Sequence, residues 1–167
     1  MLKPKRWGLR YKQAGQAGNP LGPLEKEAGK KMAGKLLLEV VTPEKLLLSQ
    51  QVDEVIAPGS EGEFGVWPGH CHFLSTLRIG ELRYRVGDLT NHMAVLWGYA
   101  EVTPTKVTIM AEIAEKAEDI DVERAQAAFE KAEERLKVGG LPSEVKEAEI
   151  SLEKARLRKK IAERASK

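Results

Sequence analysis

The chain has 167 residues with 27 Lys+Arg and 25 Asp+Glu, and the resulting net charge of +2 is unevenly spread. The successive blocks 1–31, 32–114, 115–152 and 153–167 carry charges of +6, −4, −5 and +5. Because no basic surface runs through the bulk of the sequence, the composition argues against a general nucleic-acid-binding protein. Cys71 is the single cysteine, so an intramolecular disulfide is excluded and a reducing compartment is expected.

The first 31 residues are rich in glycine and proline and follow neither a helical nor a strand period. This pattern is typical of a disordered segment. Met32 stands directly before a strongly patterned stretch, as at the start of an ordinary globular protein. We therefore expect residues 1–31 to be a disordered N-terminal extension that need not be native.

Short apolar segments separated by Pro and Gly follow from Lys35 to about Ala111. Several alternate apolar with charged residues, as in Leu82-Arg83-Tyr84-Arg85-Val86, which is typical of a half-exposed strand. His92 to Gly98 and Tyr99 to Thr103 are assigned to two separate strands. The pattern predicts nine to ten short antiparallel strands forming a β-sandwich or barrel over residues 32–117.

The period changes after residue 117, and two amphipathic helices are predicted over residues 118–167. The first, from about Asp121 to Lys137, is capped by Asp119 or Asp121, and the second is capped by Ser143. Their apolar stripes are Val122, Ala125, Phe129, Ala132 and Leu136 on the first helix, and Val145, Ala148, Leu152 and Ala155 on the second. Because a five-residue connection joins them, they form an antiparallel hairpin. Its alanine-rich interface buries little apolar area. Because burial of each CH₂ group stabilises the interface by only about 0.8 kcal/mol, the hairpin can open.

The second helix also carries a second apolar line, formed by Ile150, Leu157 and Ile161. This line either packs on the sandwich or awaits another partner. Basic residues surround it, so the helix is a basic amphipathic rod.

Residue types that could carry catalysis or bind metal are sparse. His70-Cys71-His72 and His92 lack the spacing of a metal site, and no nucleophile has an evident base. We therefore expect no catalytic residues and no metal.

Several segments resemble the epsilon subunit of F-type ATP synthase over residues 32–167. The most specific are Gly62-Glu63-Phe64-Gly65-Val66-Trp67-Pro68-Gly69-His70 and Asp119-Ile120-Asp121 with Arg124-Ala125. Others are Val41-Thr42-Pro43, Ile79-Gly80, Trp97-Gly98-Tyr99-Ala100-Glu101-Val102 and Val107-Thr108-Ile109-Met110. The family fold, a β-sandwich followed by a helical hairpin, agrees with the predicted architecture.

The resemblance implies a non-catalytic central-stalk subunit of a proton-driven ATP synthase. Its sandwich would bind the gamma subunit and the c-ring, with the c-ring contact at Glu61, Gly62 and Glu63. These three residues also suit a simple turn. The protein would be peripheral, associated with the cytoplasmic face of a bacterial plasma membrane only through the complex, and it would not bind nucleic acid.

The resemblance also implies that the hairpin regulates ATP hydrolysis. In its extended state the basic second helix would contact acidic loops of the alpha/beta head through Arg156, Arg158, Lys159 and Lys160. Alternatively, these residues form only a solvated helix face.

Some members of the family bind ATP as a regulatory ligand in the folded hairpin. The matching residues here are Glu115, Ile120, Asp121, Arg124, Ala125, Lys154 and Arg158. Lys154 stands where the family pattern has an arginine and lacks the planar fork that grips phosphate. Alternatively, Asp121 caps the helix and Arg124 pairs with a carboxylate.

A different class of function stays open on composition alone. A free-standing β-sandwich with a coiled-coil tail could act as an adaptor outside any ATPase.

Overall fold

The computed structural model describes residues 34–165, with the side chain of residue 165 left out. The prediction for residues 1–31 lies outside this range. The strands are β1 (Leu36–Val41), β2 (Leu46–Val52), β3 (Glu54–Gly59), β4 (Gly62–Val66), β5 (Phe73–Leu77), β6 (Gly80–Val86), β7 (Leu89–Val102) and β8 (Lys106–Lys116). A 3-10 turn (Ala117–Asp119) leads to the helices α1 (Val122–Val138) and α2 (Pro142–Ala165). This confirms the predicted sandwich followed by a helical hairpin.

The strand register divides the sandwich into two layers. One layer joins β2, β1, the first half of β8, the second half of β7, and β5. The other joins β4, β3, β6, the first half of β7, and the second half of β8. Because β7 and β8 run through both layers, they tie the sandwich together.

The main core lies between the layers and follows from the two-residue period of the strands. In β1, Leu36, Leu38 and Val40 are fully buried, while the alternate residues are half-buried. In β6, Leu82 and Tyr84 point into the same core. The alternate residues of β6, including Glu81, therefore project from the opposite face of the sheet.

The strand count is eight within the described residues, because two segments assigned to separate strands form the single strand β7. The predicted division lies between Gly98 and Tyr99. Trp97 has φ 53° and Gly98 has φ 126°, so the backbone is irregular there. Pairing with β8 nevertheless continues from Met93 to Val102. A side chain at residue 98 would clash with the carbonyl oxygen of Met110, so this close pairing requires glycine.

The expectation of an all-antiparallel arrangement is wrong for one pair of strands. β1 and β8 are parallel, with Leu38 beside Val107 and Val40 beside Ile109. Parallel strands cannot be joined by a short turn, and these two are separated by all the other strands. Their pairing therefore leaves no local turn signal in the sequence.

The helical hairpin has the alanine-lined interface predicted from its spacing. Ala125 and Ala132 of α1 and Ala148 and Ala155 of α2 are all nearly fully buried. Val122, predicted on the same stripe, is 53% exposed, because it lies at the first residue of α1. The hairpin interface is thus narrow and built from small side chains.

The helix caps differ in how well they were predicted. Asp121 caps α1 by accepting a hydrogen bond from the Arg124 amide at 2.9 Å. Ser143 is not the cap of α2, because the helix already begins at Pro142. Proline suits a first helical position, where its missing N–H group would be unpaired in any case. Glu144 then accepts a hydrogen bond from the Leu141 amide at 2.8 Å.

The second apolar line of α2 packs on the outer face of the sandwich. Leu157 and Ile161 join Ile79, Ala94 and Leu96 in a separate core cluster, with Ile150 at its edge. Even-numbered residues of the first half of β7 face this cluster, while Met93 and Val95 face the main core. The layer that contains β6 and the first half of β7 is consequently buried on both sides. Over residues 34–165, neither helix has the length and apolar character needed to cross a bilayer.

Candidate functional site

A cavity of about 340 Å³ lies where β8, the 3-10 turn, α1 and α2 meet. Its lining residues are Glu115, Asp119, Ile120, Asp121, Arg124, Ala125, Ala128 and Arg158. Six of these residues are among those that the resemblance implies for the binding of ATP. The fold therefore brings together residues that are up to 43 positions apart.

Arg158 and Glu115 form the strongest polar contact in this cavity. The Arg158 guanidinium donates from Nε to Oε2 at 2.8 Å and from Nη2 to Oε1 at 2.6 Å. Hydrogen bonding to Glu115 raises the pKa of Arg158 further above its ordinary value, although partial burial opposes this. The planar fork of arginine suits this two-bond contact, so α2 is joined to β8 at a defined position.

Arg124 lies beside Asp121 at the start of α1. Its backbone amide donates to the capping carboxylate, and its side chain lines the cavity. Its guanidinium takes part in no ion pair within residues 34–165. Asp121 therefore caps α1 as predicted. The Arg124 side chain, in contrast, does not pair with a carboxylate among residues 34–165.

Lys154 does not line the cavity. Its ammonium group lies 4.4 Å from the centre of the Trp97 ring, a cation–π contact on the sandwich side of α2. Lys159 makes a similar contact with Phe129 of α1, at 4.6 Å. Arg156 is exposed. The basic residues of α2 thus point in several directions instead of forming one face.

The segment that the resemblance assigns to the c-ring comprises the second residue of the tight turn between β3 and β4 and the first two residues of β4. Glu61, Gly62 and Glu63 are all exposed, and Gly62 has φ 137°, a value that suits glycine. Glu63 pairs with Arg83 of β6 at 2.7 Å. One of the two acidic side chains is therefore held by the sandwich.

A buried acidic residue, Glu81 of β6, was missed by sequence reasoning. Its side chain is only 2% exposed and lies beneath α2. Oε1 accepts hydrogen bonds from His92 Nδ1 at 2.7 Å and from Arg164 Nη1 at 2.8 Å. Lys160 Nζ lies 3.2 Å from Oε2, and Arg83 Nη1 lies 3.9 Å from it.

The ionised form of Glu81 is favoured despite burial. Burial alone would raise the pKa of this carboxyl group, but hydrogen bonding from His92 and the charges of Lys160 and Arg164 lower it below its ordinary value of 4.5. The predicted strand began at Leu82 and alternated with Arg83 and Arg85, so no prediction was made for Glu81, which lies on the same face as these two arginines. Nothing in the local sequence indicated that a helix covers that face.

An open apolar groove on the sandwich was also missed. Its volume is about 850 Å³, and its lining includes Trp97, Tyr99 and Met110. Tyr99 is 54% exposed and Met110 is 41% exposed. Exposed apolar residues grouped in this way are typical of a protein-binding surface.

Two family models match consecutive parts of the chain. The model described as ATP synthase, Delta/Epsilon chain, beta-sandwich domain matches residues 35–117. The model described as ATP synthase, Delta/Epsilon chain, long alpha-helix domain matches residues 118–163. The boundary between them falls within the 3-10 turn between β8 and α1.

Relatives that the chain matches over nearly their whole length carry the name ATP synthase epsilon chain. The chain is 53% identical to the protein of Syntrophobacter fumaroxidans over 133 residues, which span 80% of this chain and 99% of the relative. It is 50% identical to the protein of Citrifermentans bemidjiense over 139 residues, 81% of this chain and 99% of the relative.

Two solved structures share the fold. A chain in the mitochondrial ATP synthase of Euglena gracilis, in an OSCP/F1/c-ring structure, has a TM-score of 0.68 at 20% identity, with 99% of both chains covered. A chain in the central stalk/c-ring structure from Tetrahymena thermophila has a TM-score of 0.54 at 16% identity, covering 77% of this chain and 96% of that one. The two family matches and the near-complete coverage of the bacterial relatives establish that the chain belongs to the ATP synthase delta/epsilon chain family.

Proposed function

We propose that this protein is the non-catalytic epsilon subunit of an F-type ATP synthase, in which the sandwich couples the gamma subunit to the c-ring and the hairpin inhibits ATP hydrolysis. The observation that carries this proposal is the pair of consecutive family matches, which together span residues 35–163. Near-complete coverage of relatives named ATP synthase epsilon chain supports the same function and disfavours a free-standing adaptor.

The groove around Tyr99 and Met110 is the proposed binding surface for the gamma subunit. Its support is the exposure of these two side chains beside a concave apolar surface. Buried aromatic residues at the centre of an interface contribute much of its binding energy. Tyr99→Ala should therefore weaken copurification with the gamma subunit, while Leu89→Ala, a change at a 72% exposed residue outside the groove, should not.

The turn at Glu61, Gly62 and Glu63 is the proposed c-ring contact. Support comes from its exposure and from the match of this segment to the family pattern. As part of such a complex, the subunit would be peripheral and would lie at the cytoplasmic face of a bacterial plasma membrane.

The hairpin is the proposed inhibitory element. The interface between its two helices consists of small side chains, so separating them exposes little apolar area. Leaving the sandwich also exposes the cluster around Leu157 and Ile161, which favours the folded state. In the extended state, Arg156, Arg158, Lys159 and Lys160 would contact acidic loops of the alpha/beta head. Small differences in these contacts are sufficient to shift the population between folded and extended states.

Truncation after Lys137 tests this inhibitory role in the assembled enzyme. We expect ATP hydrolysis to rise, because α2 is removed while the sandwich stays. The control is copurification of the truncated subunit with gamma, which establishes that the complex still assembles. An unchanged rate of hydrolysis in an assembled complex would remove the inhibitory assignment.

Regulatory binding of ATP in the hairpin cavity is a second candidate function. It is favoured by the grouping of Glu115, Ile120, Asp121, Arg124, Ala125 and Arg158 around one cavity. Lys154 lies outside this cavity and over Trp97, so Arg124 and Arg158 would provide the positive charge for phosphate. Calorimetry of the isolated protein with millimolar ATP tests this candidate directly.

A further inference from the structure

Glu81 lies at a point where the sandwich and the docked α2 share a charge cluster. Lys160 and Arg164 come from α2, His92 from β7, and Arg83 from β6. Two of the four groups around the carboxylate are therefore present only while α2 is docked. The apolar cluster formed by Leu157 and Ile161 lies on the same side of the sheet.

The contacts of Glu81 make its ionisation dependent on the helix. A buried carboxylate is unfavourable unless opposite charges and hydrogen bonds compensate for the lost hydration. Here Arg164 provides a hydrogen bond of 2.8 Å and Lys160 an ion-pair contact of 3.2 Å. Oε2 accepts no hydrogen bond of good geometry within residues 34–165, so the Lys160 charge is its nearest compensation.

The same helix carries the cations proposed to contact the acidic head, and most of them have partners in the docked state. Lys160 lies beside Glu81, Arg158 holds Glu115, and Lys159 lies over Phe129. Arg156, by contrast, is exposed and takes part in no ion pair within residues 34–165. An acidic surface outside the subunit would have to replace these internal partners.

We propose that Glu81 is an internal anion that holds α2 on the sandwich by occupying Lys160 and Arg164, in competition with an external acidic surface. Docking on Glu81 and binding to that surface are then mutually exclusive for these two side chains. The inference rests on the proposed function of the hairpin, but the competition itself can be measured in the isolated protein. Arg83 also links Glu81 to Glu63, so the cluster extends to the turn between β3 and β4.

Hydrogen exchange of the α2 backbone amides in the full-length protein tests the docking. Glu81→Gln keeps the size of the side chain and removes its charge. We expect exchange in α2 to become about ten- to a hundredfold faster, the effect of losing hydrogen bonds to a charged group. Arg164→Gln should produce a similar change, and the double variant should add little, because both substitutions break the same contact.

Glu54→Gln is the matched control. Glu54 lies on β3 and pairs with Arg85 at 3.2 Å, an ion pair that does not involve α2. We expect hydrogen exchange of the α2 amides in the Glu54→Gln variant to match that in the unmodified protein. A rise equal to that of Glu81→Gln would overturn the proposal, since the effect would then be a general loss of sandwich stability.

Binding of a fluorescent polyglutamate peptide at low salt tests the competition. Glu81→Gln should bind the peptide more tightly, because Lys160 and Arg164 are released, and the further change of both cations to Gln should cancel the gain. Unchanged exchange and unchanged peptide binding in Glu81→Gln would overturn the proposal. Should Glu81→Gln not fold, Lys160→Gln and Arg164→Gln test the same contact from the surface of the helix.

The assembled enzyme separates this inference from the inhibitory function. If Glu81→Gln frees α2, we expect slower ATP hydrolysis, because the extended state becomes more populated. Faster exchange and tighter peptide binding with unchanged hydrolysis would support the Glu81 contact and contradict the inhibitory hairpin. Unchanged exchange, together with faster hydrolysis on truncation, would contradict the Glu81 contact and support the inhibitory hairpin.

Discussion

Arg158 and Glu115 bind each other through two hydrogen bonds, of 2.8 and 2.6 Å, across 43 residues of sequence. Arg158 therefore already binds a carboxylate of the same chain in the cavity where the resemblance implies that the phosphate groups of ATP bind. A nucleotide would share or displace this partner. Glu115 thus compensates the charge of Arg158 within the folded hairpin.

The positions of Arg158 and Lys154 lead to different expectations for nucleotide binding. Arg158→Gln should lower ATP affinity by at least about tenfold, the effect of losing one charged hydrogen bond. Lys154→Gln should change it little, because Lys154 lies over Trp97 and not in the cavity. Calorimetric titration of both variants is the measurement. Equal losses in the two variants would contradict the site as described.

The cap of α1 predicts a graded effect on stability. Asp121→Ala removes the acceptor of the Arg124 amide and should lower the free energy of unfolding by about 1 kcal/mol. Asp121→Asn keeps an acceptor and should lower it much less. Urea unfolding followed by circular dichroism compares the two variants, and equal destabilisation would contradict a capping role.

The lowered pKa of Glu81 predicts that docking of α2 depends on acidity. A carboxyl group with a lowered pKa in the folded protein adds stability that is complete above its ordinary value of 4.5 and fades as the pH falls through the lower folded value. We therefore expect α2 to be docked at neutral pH and released in acid.

Fluorescence of Trp97 reports this release, in a protein whose Trp7 and Trp67 are replaced by Phe. The Glu81→Gln variant should lose this part of the acid transition, because residue 81 no longer titrates. Identical acid transitions in the presence and absence of Glu81 would show that other carboxyl groups control it.

The exposed pair of Glu63 and Arg83 allows coupling and stability to be tested separately. Glu63→Lys should weaken ATP-driven proton pumping in reconstituted vesicles if the turn contacts the c-ring. The unfolding free energy of the isolated protein should change by only about 0.5 kcal/mol, because exposed ion pairs contribute little. Glu44→Lys makes the same charge reversal at another exposed turn and should leave pumping unchanged. Normal pumping in Glu63→Lys would remove the contact assigned to this turn.

The apolar contact of α2 with the sandwich predicts a large effect at one residue. Ile161 is fully buried, so Ile161→Ala should cost about 2–5 kcal/mol of docking free energy. Val138→Ala provides a control at a residue that is 86% exposed. Hydrogen exchange in α2 distinguishes them, and similar exchange in both variants would argue against docking through this cluster.

Local patterns in the sequence were sufficient for the order of the strands and helices, apart from the division of β7, and for the hairpin interface. The spacing of Ala125, Ala132, Ala148 and Ala155 predicted their burial. The predicted cap of α1 was Asp119 or Asp121, and Asp121 is the cap. Such features depend on neighbours three or four residues away. The line formed by Ile150, Leu157 and Ile161 likewise required a covering surface, and the sandwich provides it.

Contacts between distant residues were not predictable in this way. Glu81 meets Arg164 across 83 residues, and β1 pairs with β8 without a connecting turn. The alternation predicted from Leu82 to Val86 indicated only that neighbouring residues lie on opposite faces. Which face a helix covers depends on the whole fold, so the burial of Glu81 left no local signal in the sequence.

The placement of Glu81 beside Leu82 also limits how the sandwich can form. In the native register Glu81 pairs with Ala94 and faces α2, while Leu82 pairs with Met93 and faces the main core. A slip of one residue would exchange these faces and place a carboxylate among aliphatic side chains. Misaligned pairings of β6 with β7 are therefore disfavoured, because they would bury Glu81 and Arg83 in the main core and remove Leu82 and Tyr84 from it.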